Sequence, residues 1–309
     1  MKILILGGTG YIGSNFIANS DLKNISITSI SQKKKNFEFK NVKYIYEDYN
    51  NIENLNILLQ ECDIIIHLIN STNPLTAENS FQNDIEGNLI KSIRLFKKIP
   101  KDKHIIYFSS GGTVYGNQTK FPISEDSKLS PINSYGIIKV ASENYLKLFS
   151  KKNQFKYTIV RPSNIFGKKQ FFDKSHGIIE NTIFNIINDK TVDIWGDGHH
   201  IRDYLYIDDL VSFLDKLIHR KIYGIYNVGS GTGISNIDLV KSIFEITKKD
   251  VKIQHVKNKF ENVDKVILDI KKAQSQLNWY PRIDFKKGLK MEVKWLKKTI
   301  LKDTTMGDL

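Results

Sequence analysis

Residues 2–13 read Lys2-Ile3-Leu4-Ile5-Leu6-Gly7-Gly8-Thr9-Gly10-Tyr11-Ile12-Gly13. The apolar run predicts a buried strand, and the residues around the last glycine predict the start of a helix. Glycines at such a junction let the backbone approach a pyrophosphate, which the unpaired N–H groups at the helix start can bind. The stretch therefore predicts a dinucleotide site, with cofactor contacts at Gly7, Gly10, Tyr11, Ile12 and Gly13.

Outward from this stretch, the first half of the chain alternates short apolar runs with longer amphipathic ones. This alternation is typical of β-α-β units that build a parallel sheet. Six strands are predicted, at Lys2–Leu6, Ile25–Ile30, Lys43–Tyr46, Asp63–Leu68, His104–Phe108 and Lys156–Val160. Helices are predicted over Phe81–Lys97 and Ile132–Lys151, where apolar residues recur every three or four positions. We expect an α/β fold with a doubly wound parallel sheet of the Rossmann type.

Beyond Arg161-Pro162 the pattern loosens into shorter pieces. Helices are predicted around Ile178–Ile187 and Ile237–Thr247, and strands at Val192–Trp195 and Val251–His255. We expect these pieces to form a smaller C-terminal α/β substrate lobe. The predicted division gives residues 1–162, together with about 203–230, to a dinucleotide-binding domain. Residues 163–202 and 231–309 are assigned to the lobe.

The composition is that of an ordinary globular protein, with 40% hydrophobic and 26% charged residues among 309. No apolar run approaches the roughly 20 residues of a membrane span and no signal peptide leads the chain, so we expect a cytoplasmic protein without a membrane partner. The single Cys62 excludes an internal disulfide, and no metal site is predicted. His67 lies in an apolar run and is expected to be a core residue.

The formal net charge of +13 is compatible with a nucleic-acid partner. The lysines, however, are scattered along the chain, and no basic–aromatic motif of a nucleic-acid module is present. We therefore expect a basic solvated surface and no nucleic-acid partner.

The end of the second predicted strand bears on the choice of cofactor. Sites that bind NAD place an Asp or Glu there, which binds the ribose hydroxyls and repels a 2′-phosphate. This chain has Ser31, with Lys33, Lys34 and Lys35 where the phosphate would lie. The pattern favours NADP(H), with Ser31 and Lys33 as contacts. NAD(H) is the alternative, in which the lysines form only an exposed turn.

Tyr135 and Lys139 are four residues apart, hence on one face of a predicted helix. A tyrosine with a pKa near 10 is a poor proton donor or acceptor at neutral pH, and a neighbouring cation is expected to lower that pKa. The pair follows the fifth predicted strand and the loop Ser109–Gly116. We expect Tyr135 to be the catalytic acid or base, tuned by Lys139.

These stretches, together with Asp63–Asn70, Arg161–Gly167 and Trp195–Leu210, resemble the extended short-chain dehydrogenase/reductase family, in particular its NAD-dependent epimerase/dehydratase members that modify nucleotide sugars. The resemblance covers nearly the whole chain. It implies a nucleotide-sugar substrate, bound by the C-terminal lobe, and a homodimer formed through two long helices. The residues that the resemblance assigns are Lys139 to the nicotinamide ribose, Asp48 to the adenine, Leu68 to the cofactor, and Asn164 and Arg202 to the substrate diphosphate.

Several positions depart from the family pattern. Gly111 stands where most relatives have a catalytic Ser or Thr, so Ser110 or Thr113 is expected to supply that hydroxyl. Gly112 and Thr113 stand where sugar 4,6-dehydratases carry an acidic pair, which argues against dehydration. Lys259 and Asn262 stand where relatives have a second diphosphate-binding arginine and its aspartate partner.

The expected reaction is hydride transfer at C4 of a nucleotide-activated sugar, namely reduction of a 4-dehydro-6-deoxy sugar such as dTDP-4-dehydro-6-deoxyglucose. Ser31 with its lysines favours this reductase, and the glycine at 111 argues against an ordinary epimerase. An NAD-dependent UDP-sugar 4-epimerase is the alternative that uses the same residues. An alternative of another class is a non-catalytic relative that senses NADP(H) or associates with RNA, against which the Tyr135–Lys139 pair argues.

Overall fold

A computed structural model describes residues 1–34, 38–168, 177–249, 252–257 and 263–306. Its centre is a sheet of seven parallel strands. These are β1 (Lys2–Leu6), β2 (Ser26–Ile30), β3 (Val42–Ile45), β4 (Ile64–His67), β5 (His104–Phe108), β6 (Lys156–Pro162) and, numbered in chain order, β11 (Gly224–Val228). They lie in the order β3-β2-β1-β4-β5-β6-β11. The predicted doubly wound α/β fold is confirmed.

Helices cover both faces of this sheet. The helices of the chain are α1 (Tyr11–Asn19), α2 (Leu55–Glu61), α3 (Pro74–Ala77), α4 (Phe81–Asp84), α5 (Lys91–Lys98), α6 (Ser134–Asn153), α7 (Ile178–Ile187), α8 (Ile207–Arg220), α9 (Asn236–Thr247), α10 (Lys271–Leu277) and α11 (Phe285–Met306). Ile5 of β1 packs in one core with Phe16 of α1. Leu4 packs in the opposite core with Leu59 of α2 and Leu146 of α6. Because successive strand residues face opposite sides, covering both faces explains why β1 is apolar from Ile3 to Leu6.

The strand order reverses at β1. Strands β2 and β3 lie on one side of it, and β4, β5, β6 and β11 lie on the other. In open sheets of this kind, ligands bind in the crevice outside the carboxyl ends of the strands at the reversal point. Gly7, Leu68 and Ser109 directly follow β1, β4 and β5, so they lie along this edge.

Six sheet strands are predicted from the sequence, but the sheet has a seventh, β11. It pairs in parallel with β6, and its last residue lies opposite Pro162. Gly224 and Asn227 are uncommon strand residues, whereas Tyr226 and Val228 are fully buried. Non-local pairing and burial therefore form this strand against its local preference. The other strand limits agree with the predictions to within two residues.

The helix predicted over Phe81–Lys97 is present, from Phe81 to Lys98, but its middle is π-helical and not α-helical. The segment consists of α4, a π-helical turn at Ile85–Ile90, and α5. The side chain of Asn88 points inward and accepts hydrogen bonds from the Ser71 N–H (2.8 Å) and hydroxyl (3.0 Å). A Cβ on Gly87 would lie 2.4 Å from the Ser71 Oγ. The loop after β4 thus packs against the widened turn, which explains the break in the α-helical pattern.

The remaining strands form three two-stranded sheets of the C-terminal half. They pair β7 (Asn164–Phe166) with β10 (Tyr204–Tyr206), β9 (Ile201–Arg202) with β12 (Ile234–Ser235), and β8 (Val192–Trp195) with β13 (Ile253–Val256). Ile183 of α7, Ile243 of α9 and Leu289 of α11 belong to the same buried cluster as Ile5 of the main sheet. These C-terminal elements therefore pack directly onto the main sheet. No helix in the described part of the chain is both long and apolar enough to cross a membrane.

Candidate active site

The glycine-rich turn between β1 and α1 brings the two elements into close contact. Gly7 has a φ of +94°, in the left-handed region that favours glycine, and its carbonyl accepts a hydrogen bond from the Gly10 N–H (3.0 Å). A Cβ on Gly13 would lie 2.5 Å from the Gly7 oxygen and 2.6 Å from the Gly8 Cα. Only glycine therefore lets the first turn of α1 contact the end of β1. The N–H groups at a helix start have no helical partner, so this turn fits a pyrophosphate.

Three more predicted cofactor residues lie beside this turn. Tyr11 and Ile12 are the first two residues of α1. The Tyr11 hydroxyl donates to the Gly167 carbonyl (3.1 Å), which fixes the side chain away from the helix start. Leu68 directly follows β4, and its N–H donates to the Leu6 carbonyl (2.9 Å). These residues thus lie next to the carboxyl ends of β1 and β4.

Ser31 lies inside the same turn. Its Oγ accepts a hydrogen bond from the Thr9 N–H (3.2 Å), and the residue is 5% exposed. Lys33 and Lys34 follow it and are exposed. Lys35 lies outside the described residues. The end of β2 therefore presents a short neutral side chain and two solvated cations, with no carboxylate at position 31.

Asp48, the predicted adenine contact, takes part in a polar cluster beyond the end of β3. Its carboxylate accepts a hydrogen bond from the Gln32 amide (2.9 Å) and pairs with Lys91 of α5. Burial disfavours the ionised form, but the hydrogen bonds from Lys91 and Asn50 hold the pKa of Asp48 below its ordinary value. Asp48 is therefore a carboxylate that is already engaged by the protein.

Tyr135 and Lys139 lie together in the first two turns of α6. The helix begins where the Asn133 side chain accepts a hydrogen bond from the Gly136 N–H (2.8 Å). The Lys139 Nζ lies 5.5 Å from the centre of the Tyr135 ring. It also donates to the Phe108 carbonyl at the end of β5 (2.9 Å). The predicted pair is thus held at the carboxyl edge of the sheet.

The expectation that Lys139 lowers the Tyr135 pKa is wrong for this structure. Burial raises the pKa of Tyr135, and the Asp84 carboxylate raises it further. Burial also lowers the pKa of Lys139 to about 8, although Asp84 and Glu143 act in the opposite direction. The Lys139 Nζ donates to a backbone carbonyl, and its charge does not offset the effect of burial on the phenol. Tyr135 is therefore a neutral phenol at physiological pH.

The loop at Gly111 has no room for the hydroxyl that relatives carry at this position. A Cβ there would lie 2.6 Å from the Leu268 Cδ1 and 3.0 Å from the carbonyl oxygens of Arg161 and Pro162. Two of these three neighbours are backbone atoms and cannot rotate away. The departure at Gly111 is therefore fixed by the packing of the loop.

Ser110 and Thr113, the two candidates for the missing hydroxyl, have different surroundings. Thr113 is 9% exposed, and its Oγ1 has no hydrogen-bond partner in the part of the chain that the structure describes. Its carbonyl packs against the first turn of α6, since a Cβ on Gly136 would lie 2.9 Å from it. The Ser110 Oγ and the Asn164 Oδ1 both lie near Gly112. Thr113 thus lies beside the Tyr135 turn, and Ser110 lies beside the predicted diphosphate residue Asn164.

Arg202 lies on β9, in the C-terminal half of the chain. Its Nη1 donates to the carbonyl oxygens of Ile201 (3.0 Å) and Asp264 (3.3 Å). Within the described ranges it forms no ion pair, so most of its five N–H donors are available to a ligand. Lys259 and Asn262 lie outside the described residues.

A buried ion pair behind α6 is not evident from the sequence pattern. Glu143 accepts two hydrogen bonds from Arg161, Nη2 to Oε2 (2.6 Å) and Nε to Oε1 (3.0 Å). It accepts a third from the Ser109 hydroxyl (2.6 Å). Its one signal in the sequence is its position, four residues after Lys139 on the same helix face. The pair ties α6 to β5 and β6 and gives Arg161 a structural role.

His67 is confirmed as a core residue. It is 2% exposed and packs against the rings of Tyr49 and Tyr107. Burial lowers the pKa of His67 to about 3, so the ring is neutral. Among the described residues, no group of three His, Cys, Asp or Glu side chains is arranged to hold a metal ion.

The chain is similar to known proteins over most of its length. The model of the NAD dependent epimerase/dehydratase family matches residues 3–229. The chain is 34% identical over 306 residues to a dTDP-4-dehydro-6-deoxyglucose reductase from Escherichia coli, and the match covers 94% of this chain and 96% of that protein.

Two solved structures are similar over almost the whole chain. One is a UDP-glucose 4-epimerase from Thermotoga maritima with UDP-glucose, with a TM-score of 0.90, 29% identity, and coverage of 97% of this chain and 100% of that one. The other is a UDP-glucuronic acid 4-epimerase from Bacillus cereus with UDP-glucuronic acid and NAD, with a TM-score of 0.89, 25% identity and the same coverage.

Proposed function

This chain belongs to the NAD-dependent epimerase/dehydratase family and is an enzyme, and from this premise we propose that it reduces C4 of a nucleotide-linked 4-dehydro-6-deoxy sugar with NADPH. The observation that carries the proposal is the half-buried phenol of Tyr135, whose pKa is raised and which is held with Lys139 at the edge of the sheet where the glycine turn lies. A protonated tyrosine is the form that a reductase needs first, because the carbonyl oxygen must receive a proton.

The cofactor would bind at the glycine turn of residues 7–13, whose backbone N–H groups and missing side chains fit a pyrophosphate. When bound, NADPH supplies the hydride that adds to C4. Tyr135 gives its phenol proton to the developing alkoxide at O4, so that the C=O group becomes CH–OH. Lys139 holds its ammonium over the ring and stabilises the phenolate that remains.

Two further groups would orient the sugar. We assign the missing hydroxyl to Thr113, because its buried Oγ1 has no partner in the described part of the chain and the backbone of this residue packs against the first turn of α6. Ser110, near Asn164 and more exposed, is the second candidate. Arg202 and Asn164 would hold the diphosphate from the lobe, which makes residues 163–202 and 231–309 the nucleotide-sugar lobe. The Arg202 guanidinium is suited to this role because its planar fork matches phosphate oxygens.

We infer a preference for NADP(H) from the end of β2. Ser31 places no negative charge near a 2′-phosphate, and Lys33 is exposed and able to approach one. The Bacillus cereus structure similar to this chain contains NAD. NAD(H) is therefore the alternative cofactor, and the 4-epimerase is the alternative reaction.

The test is a substrate assay with both cofactors. With dTDP-4-dehydro-6-deoxyglucose or its UDP or GDP counterpart, we expect one NADPH oxidised per sugar reduced, seen as a loss of nicotinamide absorbance. Purified protein that carries NAD⁺, interconverts UDP-hexoses and consumes no NADPH with any keto sugar would establish the epimerase instead.

We also propose that the chain forms a homodimer through the outer face of α6. Ile137, Tyr145 and Leu148 lie on one side of this helix and are 54%, 40% and 44% exposed. Large apolar side chains at helical spacing on a surface are typical of an interface. Sedimentation should show a dimer that Leu148→Glu converts to a monomer; a monomeric wild-type protein would contradict the proposal.

A further inference from the structure

We propose that Asp84 is a positioning residue that fixes the first turn of α6 and keeps the Tyr135 phenol in its protonated, proton-donating form. This inference rests on the proposed function, because the role given to Tyr135 is that of a proton donor to a keto sugar. Asp84 lies at the end of α4, some 50 residues before Tyr135 in the sequence, and contributes to none of the motifs that identify the site.

The geometry shows a carboxylate held inside the protein by hydrogen bonds. Asp84 is 0% exposed. Its Oδ1 accepts hydrogen bonds from the Thr72 hydroxyl (2.7 Å) and the Asn88 amide (2.8 Å), and its Oδ2 accepts one from the Ser134 hydroxyl (2.7 Å). The Asn88 amide is oriented by the Ser71 N–H, which donates to its oxygen. Three donors around one acid match the acceptor-only carboxylate form.

The bond to Ser134 connects this carboxylate to the catalytic turn. Ser134 is the first residue of α6 and the neighbour of Tyr135. Its backbone N–H donates to a second carboxylate, Glu78 (2.9 Å). Two acids from the segment between β4 and α5 therefore bind the start of α6, where the helix dipole favours negative charge. The π-helical turn places Asn88 so that it can bond Asp84, which gives that irregularity a structural purpose.

Electrostatics distinguishes the two acids. Asp84 is a cause, after burial, of the raised pKa of Tyr135, and it also favours the charged form of Lys139. Glu78 has neither effect. A carboxylate beside a phenol disfavours phenolate, since both would be negative. Asp84 thus opposes proton loss from Tyr135 before the substrate arrives and supports the ammonium that stabilises the phenolate afterwards.

The other titratable groups around the start of α6 are neutral, paired or directed elsewhere. They are His67 of β4, Tyr107 of β5, Glu78 before α4, Glu86 of the π-helical turn, Lys91 of α5, Lys139 and Glu143 of α6, and Arg161 of β6. Glu143 is neutralised by Arg161, and Lys91 by Asp48. Asp84 is therefore the negative charge that acts on the Tyr135 phenol.

The experiment titrates residue 135 directly, without turnover. A fluorinated tyrosine, whose phenol titrates at lower pH, is placed at position 135 in the full chain, and its ¹⁹F resonance is followed against pH. Asp84→Asn should lower the midpoint by about one pH unit or more, because the like charge is gone. Glu78→Gln is the matched control: it removes a carboxylate that also bonds Ser134, and it should leave the midpoint unchanged.

A second measurement uses the sugar-reduction assay. The alkaline limb of the kcat profile should move to lower pH in Asp84→Asn by the amount seen in the ¹⁹F titration. If Asp84→Asn does not fold, Asp84→Ser, which leaves room for a water between Thr72 and Ser134, carries the same expectation. An unchanged midpoint in a folded Asp84 variant would overturn the proposal. If instead no keto sugar is reduced but the midpoint moves, the proposed reaction fails and the role of Asp84 stands.

Discussion

Glu143 and Glu292 are both fully buried glutamates, yet their surroundings are opposite. Glu143, behind the catalytic helix, accepts hydrogen bonds from Arg161 and Ser109. Glu292, on α11 in the smaller lobe, has no hydrogen-bond partner for either oxygen within the described ranges. Burial, with the nearby Glu180 of α7, raises the pKa of Glu292 to about 9. The buried carboxylate behind the catalytic helix is thus paired by the chain itself, whereas the buried carboxylate on α11 has no hydrogen-bond partner among the described residues.

The largest expected effect comes from breaking the buried ion pair of Glu143 and Arg161. Glu143→Gln leaves the Arg161 cation buried without a counter-charge, so the free energy of unfolding should fall by about 3–5 kcal/mol. Denaturant unfolding monitored by circular dichroism measures this change. The double variant Glu143→Gln with Arg161→Met removes both charges and should recover most of the loss. A double variant as unstable as the single one would show that the hydrogen bonds, and not the unpaired charge, set the cost.

The next largest effect is expected from Tyr135, which lies on the same helix as Glu143 but has a role in catalysis and not in stability. Tyr135→Phe removes the proton donor without removing any hydrogen bond that the ion pair makes. Turnover should fall at least about 10²-fold, the usual loss when acid/base catalysis is removed, while stability and cofactor affinity stay close to wild type. Tyr145→Phe, on the exposed face of the same helix, is the matched control and should retain full activity. Wild-type turnover in Tyr135→Phe would remove this tyrosine from the mechanism.

Replacing the unpaired glutamate Glu292 should stabilise the protein, whereas replacing the paired Glu143 should destabilise it. The pKa of Glu292 is about 9 and that of Glu180 about 7 in the folded chain, both above the ordinary value near 4.5. Their protonated forms favour folding, so their contribution is full below about pH 4.5 and is lost as the pH rises through 7 and 9. A glutamine at position 292 cannot ionise, so Glu292→Gln avoids the part of this loss in folding free energy that Glu292 causes. The variant should therefore be more stable than wild type by about 2 kcal/mol at pH 8.

The pH dependence is the decisive feature of this prediction. Unfolding of wild type and Glu292→Gln should give nearly equal free energies near pH 5 and a difference that grows toward pH 9. Glu245→Gln, an exposed acid on α9, is the control and should change stability little at any pH. A difference that is constant from pH 5 to pH 9 would show that Glu292 is not held protonated.

The contrast between the two halves also explains what the sequence could predict. The strands, the glycine turn and the Tyr135–Lys139 pair follow from short-range patterns, namely apolar runs, glycine spacing and a four-residue separation. The Glu143–Arg161 pair, the bond from Ser134 to Asp84 and strand β11 join residues that are 18 to 66 positions apart, and no local pattern encodes such contacts. The raised pKa of Tyr135 was missed for the same reason, because desolvation depends on every element packed around the ring.

The smallest expected effect tests whether a ligand completes the lobe. Within the described ranges, Arg202 donates to two backbone carbonyls and forms no ion pair, so its other N–H groups are available to a ligand. Arg202→Lys keeps the charge but loses the planar fork that bonds two phosphate oxygens at once. The KM of the nucleotide sugar should rise by about 10-fold, since one charge-assisted hydrogen bond is lost, while the NADPH affinity stays unchanged. Arg220→Lys, on an exposed turn of α8, is the control. Arg202 lies on β9, whereas the glycine turn lies at the edge of the main sheet. An equal loss of NADPH and sugar affinity would therefore mean that the two ligands do not bind at separate places. An unaltered KM would place the diphosphate of the sugar elsewhere.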